Sequence, residues 1–318
     1  MLYLNLVLAA QFASVANVTF PDIYQNFLDA VNLLNFELSW VLSAGCVLSF
    51  DFHDRLLITT IGPIVGITLL GITYRCAVVM HQGCEDAMLN VRHKHVSMVL
   101  LLTFLVYSRV SSIVFQTFAC EVLDDNKNYL RADYRIECDS PKHEALQIYA
   151  SVMILFYPLG IPLLYAVFLF RDRNVLSKAV SREVSSRVKS ISDLWKPYKP
   201  SRFYFEVIEC IRRISLTGVV VFIYPNTSPQ IAVTLVMAFV FTMLTEALAP
   251  YSNSWDRWIS RTGHVIVFMS MFIALLSKVD VASERASSER LLAVIFVAAH
   301  VSMILAVVIQ AVIIPFSV

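Results

Sequence analysis

Eight apolar stretches, nearly all long enough to cross a lipid bilayer, account for most of this 318-residue chain. A bilayer core about 30 Å thick needs about 20 residues in helical form, and in lipid only helices or closed barrels satisfy their backbone hydrogen bonds. The sequence therefore predicts an all-α fold, a polytopic transmembrane helix bundle that forms one domain over residues 1–318. We expect the spans at about 2–34, 56–77, 96–118, 146–170, 203–224, 229–248, 259–277 and 291–314.

Composition excludes a soluble globular protein. Hydrophobic residues make up 58% of the chain and charged residues 15%, and the mean hydropathy is +0.67. The first apolar stretch contains Pro21, Asp22 and Asp29, so we expect seven spans instead of eight if it does not cross fully. A net charge of +1 gives no reason to expect a nucleic-acid partner.

Loop charges predict how the chain is oriented. Basic residues predominate in the loops after spans two, four and six taken together, and acidic residues in the other loops. Because basic loops stay on the cytoplasmic side, residues 171–200 are predicted to be cytoplasmic and residues 120–144 extracytoplasmic. We expect a multi-pass protein of the plasma membrane with lipids as partners.

The extracytoplasmic loop, residues 120–144, is acidic and is bracketed by Cys120 and Cys138. On that side of the membrane disulfides persist, so we expect these two cysteines to be bonded. Its carboxylates would raise the cation concentration at a pore mouth or offer oxygen ligands to calcium, although their spacing matches no EF-hand. A solvated surface loop is the alternative, and no cysteine spacing predicts a metal site. The candidate cation-attracting residues are Glu121, Asp124, Asp125 and Asp133.

The cytoplasmic linker, residues 171–200, is basic and amphipathic. Apolar residues recur at helical spacing from Leu176 to Ile191, with lysines and arginines on the other faces. This pattern is typical of a helix that lies on an anionic leaflet. The linker could act as a lever that senses lipid or ligand, or it could be a passive surface connection.

Span four contains Pro158, Gly160 and Pro162. Each proline removes a backbone donor and clashes with the preceding turn, so the helix must kink or break there. Such breaks mark gates in some channels and transporters, and in many other membrane helices they only bend the chain.

Span five carries four charges, Glu206, Glu209, Arg212 and Arg213. Unpaired charges in hydrocarbon cost from about 3 to more than 10 kcal/mol each. On a helix Glu209 is a neighbour of both arginines at i+3 and i+4, so a self-neutralising structural network is one interpretation. A gate or ion pathway is the other.

Two further membrane charges are candidates for an ion pathway. Arg109 lies near the middle of span three and needs an acidic partner, water or a tilted helix, and Glu246 lies near the cytoplasmic end of span six. We find no HExxH or GxSxG pattern. The sequence therefore predicts neither an enzyme nor a bound cofactor.

Several runs of the chain resemble a known family. They are CEVLDDNKNYLRADYRIEC, YASVMILFYPLGIPLLY, WKPYKPSRFYFEVIECIRRISLTGVVVFIYP, EALAPY and GHVIVFMSMF. These runs look like the membrane region of large multidomain surface proteins of protists, which is itself similar to the transient-receptor-potential-like domain of flavin-carrier-type proteins. The resemblance covers about 51–310, and its most specific part is 195–213. The chain departs from it at Ser108 or Arg109, where the family is expected to have proline.

The resemblance implies a cation channel or channel-like membrane domain, with calcium among the cations, and a homo-oligomer is compatible with it. A large ectodomain usually precedes such a region, so we expect this chain to be a fragment or a reduced member. A membrane anchor or scaffold for a large extracellular surface protein is the main alternative, and a secondary transporter is a further one. A channel requires a continuous polar path, whereas an anchor requires none.

Overall fold

The computed structural model describes residues 26, 51–81, 85–123, 126–177, 188, 190–223, 227–278, 294, 295, 297, 298, 301, 302 and 305. Within them, five helices are long and apolar enough to cross a membrane: Phe52–Met80, Glu85–Gln116, Pro141–Arg171, Ser228–Leu248 and Ser254–Leu276. These match the predicted spans two, three, four, six and seven. The predicted spans one and eight lie almost entirely outside the described residues.

The chain divides into two compact units, one of residues 49–214 and the other of residues 1–48 with 215–318. In the first unit, helices α1 (Phe52–Met80) and α2 (Glu85–Gln116) pack together as a long hairpin. Asp51 begins α1 with a capping box, because its side chain accepts from the Asp54 amide while the Asp54 side chain accepts from the Asp51 amide.

A small antiparallel sheet follows α2, so the fold is mostly helical but not all-α as predicted. Its strands are β1 (Cys120–Val122), β2 (Asn128–Leu130) and β3 (Asp133–Glu137), with Cys120 opposite Leu130 and Tyr129 opposite Glu137. The predicted disulfide between Cys120 and Cys138 is confirmed. Three short strands with only Leu130 and Ile136 buried form little core of their own, and the covalent bond closes the loop.

The predicted break in span four takes the form of a π-helical turn, Leu155–Leu159, between α3 (Pro141–Ile154) and α4 (Gly160–Arg171). Pro158 lies inside this turn and cannot donate an intrahelical hydrogen bond. A side chain at Gly160 would bring its Cβ within 2.8 Å of the Leu155 carbonyl oxygen. The widened turn therefore requires glycine directly after it.

The linker contains two short helices, α5 (Arg173–Leu176) and α6 (Ser192–Trp195), and residues 178–187 and 189 lie outside the described part of the chain. The stretch expected to form an interfacial helix falls largely on residues that the structure does not describe, and Val175 just before it is 43% exposed. Leu176, Val188, Ile191 and Leu194 are buried in the same core cluster as residues of α2 and α4. The linker is thus packed onto the helices.

Helix α7 (Phe205–Thr217) follows a 3₁₀ turn, Pro200–Arg202, and is shorter than the predicted span 203–224. Thirteen residues reach about 20 Å at 1.5 Å per residue, and a second 3₁₀ turn, Val219–Phe222, comes next. This segment is not among the five long apolar helices. In the second unit, α8 (Ser228–Leu248) and α9 (Ser254–Lys278) pack along each other.

Candidate functional site

The four predicted charges on α7 form one buried cluster, which we call the charge cluster: Glu206, Glu209, Arg212 and Arg213. Their exposed fractions are 4, 1, 2 and 0%. Spacings of three, three and four residues place all of them on one side of the helix. The side chains that looked most costly in the sequence are therefore among the most buried in the structure.

Glu209 is the centre of the charge cluster. Arg212 donates two hydrogen bonds to its carboxylate, from Nε to Oε2 at 2.9 Å and from Nη2 to Oε1 at 2.5 Å. Arg213 donates from Nε to the same Oε1 at 3.4 Å. Bidentate pairing of this kind is the strongest arrangement available to a carboxylate and a guanidinium.

Glu206 joins the charge cluster to the linker. Its Oε1 accepts from Nη2 of Arg213 at 3.2 Å, and its Oε2 accepts from the Tyr198 hydroxyl at 2.7 Å. Tyr198 is buried and belongs to the last residues of the linker. Any movement of that end of the linker would consequently disturb a buried carboxylate.

Helix α2 packs against the charge cluster through two aromatic rings. The Arg213 guanidinium lies over the Phe104 ring, 4.6 Å from its centre, where the ring's negative face attracts the cation. The Tyr107 hydroxyl is 3.2 Å from the carbonyl oxygen of Cys210 and 3.4 Å from that of Pro158. One hydroxyl thus links α2, the π-helical turn and α7.

Two carboxylates and two guanidinium groups make the charge cluster formally neutral. All four carboxylate oxygens accept hydrogen bonds from side chains. The carboxylates are therefore engaged by the arginines and by Tyr198 in this conformation. The charge cluster is thus a buried, formally neutral network of paired side chains.

The other predicted pathway charges are not part of this cluster. Arg109 lies half-buried on α2. Glu246 lies near the end of α8 in the second unit and forms a bidentate pair with Arg261, at 2.8 and 2.5 Å. The Glu246 carboxylate is therefore already engaged by a guanidinium of α9.

The described carboxylates of the acidic loop are already engaged by side chains of the sheet. Asp133 accepts from Nε and Nη2 of Arg135 at 2.8 and 2.7 Å and from the Phe52 amide at 3.2 Å. Hydrogen bonding to Arg135 holds the pKa of Asp133 below its ordinary value. Glu121 lies 3.8 Å from Arg131, and Asp124 and Asp125 fall outside the described residues.

Sequence analysis missed the aromatic partners of the charge cluster and one buried histidine pair. Nε2 of His53 and Nδ1 of His143 are 3.1 Å apart, and both rings are buried where α1 and α3 begin. The two residues are 90 positions apart, so no local pattern could have paired them. Tyr198 could have been suspected, because it lies eight residues before Glu206 in the most distinctive run of the chain.

Comparison with protein-family models, with curated proteins and with solved structures finds no match for this chain.

Proposed function

We propose that this protein is a channel-like membrane domain of the transient-receptor-potential type, with seven or eight spans in the plasma membrane. Cations, calcium among them, are the proposed permeant species, and a pore built from several copies of the chain is part of the proposal. The charge cluster acts as a latch that couples the cytoplasmic linker to α7.

One observation carries this proposal: four charges, all nearly inaccessible to solvent, sit where the linker meets α7 and α2. Apolar side chains of similar size could fill that space without loss of stability, because replacing a buried ion pair with packed hydrophobic residues is often neutral or stabilising. Buried charges are better explained as parts of a switch with two arrangements. In the closed arrangement the arginines and Tyr198 satisfy all four carboxylate oxygens, and opening exposes the charges to water.

The contact between Tyr198 and Glu206 gives the switch an input. A linker that shifts under lipid, ligand or voltage breaks this hydrogen bond first, and Arg213 then loses part of its acidic environment. The Tyr107 hydroxyl contacts both the Cys210 carbonyl of α7 and the Pro158 carbonyl of the π-helical turn. Rearrangement of α7 can therefore reach the helix that carries the predicted break.

A membrane anchor is the second candidate, and the complete pairing of the carboxylate oxygens favours it. In an anchor the charge cluster holds α7 in one fixed position, and no second arrangement exists. Flux distinguishes the two candidates because only a channel conducts.

The test is cation flux through the full-length protein reconstituted in liposomes, with potassium and calcium measured separately while lipid, voltage and calcium are varied. We expect flux from the wild-type protein, and we expect Glu209→Gln to raise it severalfold because the carboxamide holds the arginines less tightly. Lys127→Gln is the matched control, since it removes one charge from an exposed pair in the sheet, and it should leave flux unchanged.

Correctly folded wild-type protein that passes no cation under any of these conditions would replace the channel proposal with the anchor. Equal changes in flux for Glu209→Gln and Lys127→Gln would remove the latch from the proposal.

A further inference from the structure

A cavity of about 110 Å³ lies where α8 and α9 meet in the second unit. Ala249 ends α8 in the left-handed conformation with φ 39°, and the chain turns into α9. About 10–15 Å³ of such volume is enough for one water molecule, so the cavity has room for a group with several oxygens. The lining includes Thr245, Glu246, Tyr251, Arg257, Ser260 and Arg261.

The two arginines of this lining lie one helical turn apart on α9 and face the same cavity. Arg261 forms the bidentate pair with Glu246. Arg257 forms no hydrogen bond to a carboxylate of the described residues, and its Nη2 is 3.5 Å from the Tyr251 carbonyl oxygen. Two guanidinium groups against one carboxylate leave the lining with an excess of one positive charge.

The Nε atom of Arg257 is buried and has no hydrogen-bond acceptor among the described residues. A buried donor without an acceptor costs about 1–3 kcal/mol, and more when it belongs to a charged group. An anion in the cavity would supply the acceptor and neutralise the excess charge. Guanidinium groups bind phosphate oxygens with two parallel hydrogen bonds, and the Ser260 hydroxyl adds a third donor to the lining.

Two exposed tryptophans beside the cavity indicate where that phosphate comes from. Trp255 and Trp258 are 55% and 47% exposed, with their rings 6.5 Å apart edge to face. Tryptophans in membrane proteins concentrate at the level of the lipid headgroups. A cavity flanked by them lies at the depth where phospholipid phosphates are found.

We propose that this cavity binds the phosphate group of an anionic phospholipid, with Arg257 as its main ligand and Ser260 and Arg261 as supporting ones. Glu246 competes with the lipid for Arg261 and so sets the affinity of the site. The proposal is independent of whether the protein conducts cations.

The test measures the thermal unfolding midpoint of the full-length protein in detergent with a neutral lipid background, while phosphatidic acid is titrated in. Inorganic phosphate and phosphatidylcholine are titrated in parallel. We expect a saturable rise with phosphatidic acid and no comparable rise with the other two. The phosphatidic acid concentration at half-saturation should be at least tenfold higher in Arg257→Gln. Arg135→Gln, which removes an exposed charge in the extracytoplasmic sheet, should match the wild type.

Glu246→Gln gives the opposite change and keeps the test decisive if Arg257→Gln fails to fold. Removing the competing carboxylate should release Arg261 and move half-saturation severalfold lower. A purely structural role for the Glu246 pair predicts no gain in affinity. An equal response to inorganic phosphate would overturn the lipid source, and an unchanged response in Arg257→Gln or Glu246→Gln would overturn the site.

Discussion

The unit of residues 49–214 contains two groups of charges, each with two acids and two bases, in very different surroundings. The charge cluster on α7 has two glutamates and two arginines, and the sheet has the pairs Arg135 with Asp133 and Lys127 with Glu137. The Arg213 side chain is 0% exposed and the Arg135 side chain is 66% exposed. The contribution of an ion pair to stability can therefore be compared between a buried site and a solvated surface.

In water each partner keeps most of its solvation whether or not the pair forms, so exposed pairs contribute little to stability. In a dry site the charges depend on one another, because loss of one leaves its partner without compensation. The exposed pair of Lys127 and Glu137 can therefore vary with small consequences for stability, whereas loss of one charge from the charge cluster leaves its partners without compensation. That difference makes the charge cluster a candidate for two discrete states.

The largest effect is expected from Arg213→Gln. This change removes the shared partner of Glu206 and Glu209, and breaking a buried pair costs about 3–5 kcal/mol. The free energy of unfolding, measured by denaturation in mixed micelles, should fall by that amount. A loss below about 1 kcal/mol would mean that the charge cluster behaves like the pairs of the sheet.

Removal of the disulfide should have the next largest effect and should be confined to the sheet. The bond joins residues 18 positions apart, and closing a loop of that length is worth about 3 kcal/mol in the chain-entropy account. We expect Cys120→Ser with Cys138→Ser to increase hydrogen exchange in the strands without increasing it in α7. Increased exchange in α7 would show that the two regions unfold together.

A double-mutant cycle on Glu209 and Arg212 should measure the mutual dependence directly. Because the two side chains share two hydrogen bonds, the losses of unfolding free energy in the two single changes to glutamine should add up to more than the loss in the double change. The coupling free energy should be about 1–3 kcal/mol. The same cycle on Lys127 and Glu137 serves as the control, and strictly additive costs at Glu209 and Arg212 would contradict the account.

The smallest effects are expected in the sheet, where Lys127→Gln should lower the free energy of unfolding by less than about 1 kcal/mol and added salt should weaken the pairs.

The pKa of Asp133 is lowered, mainly by its hydrogen bond to Arg135. Its contribution to stability is thus complete above the ordinary value of 3.8 and is lost as pH falls below that value toward the folded pKa. Asp133→Asn should remove this acid-range dependence, and an unchanged pH profile would assign it to other groups.

Much of this fold follows from the sequence because hydrophobic length and helical spacing are local properties. Five apolar helices, the break near Pro158 and the pairing of Cys120 with Cys138 all follow from signals within a short stretch of chain. The short strands were missed because their residues lie in a polar loop without a clear alternation. The true length of α7 was missed because the apolar run continues beyond Thr217 although the helix does not.

The local part of the charge cluster was also predictable, since Glu209 and both arginines are neighbours on one helix. Its aromatic partner Phe104 lies about a hundred residues away and could not be inferred. Long-range packing, rather than residue type, determined that the cluster is dry. The same limit applies to Glu246, whose partner Arg261 lies 15 residues away on the next helix.

Cys210 provides the most direct test of the latch, because it directly follows Glu209 on α7 and is 0% exposed. With every other cysteine outside the disulfide replaced by serine, a small cationic thiol reagent should label Cys210 slowly in the wild-type background. The account predicts that Glu209→Gln increases the labelling rate at least tenfold, in parallel with cation flux, whereas Lys127→Gln does not. A labelling rate in Glu209→Gln equal to that of the wild type, in folded protein, would show that the charge cluster holds α7 in one fixed position and would contradict the latch.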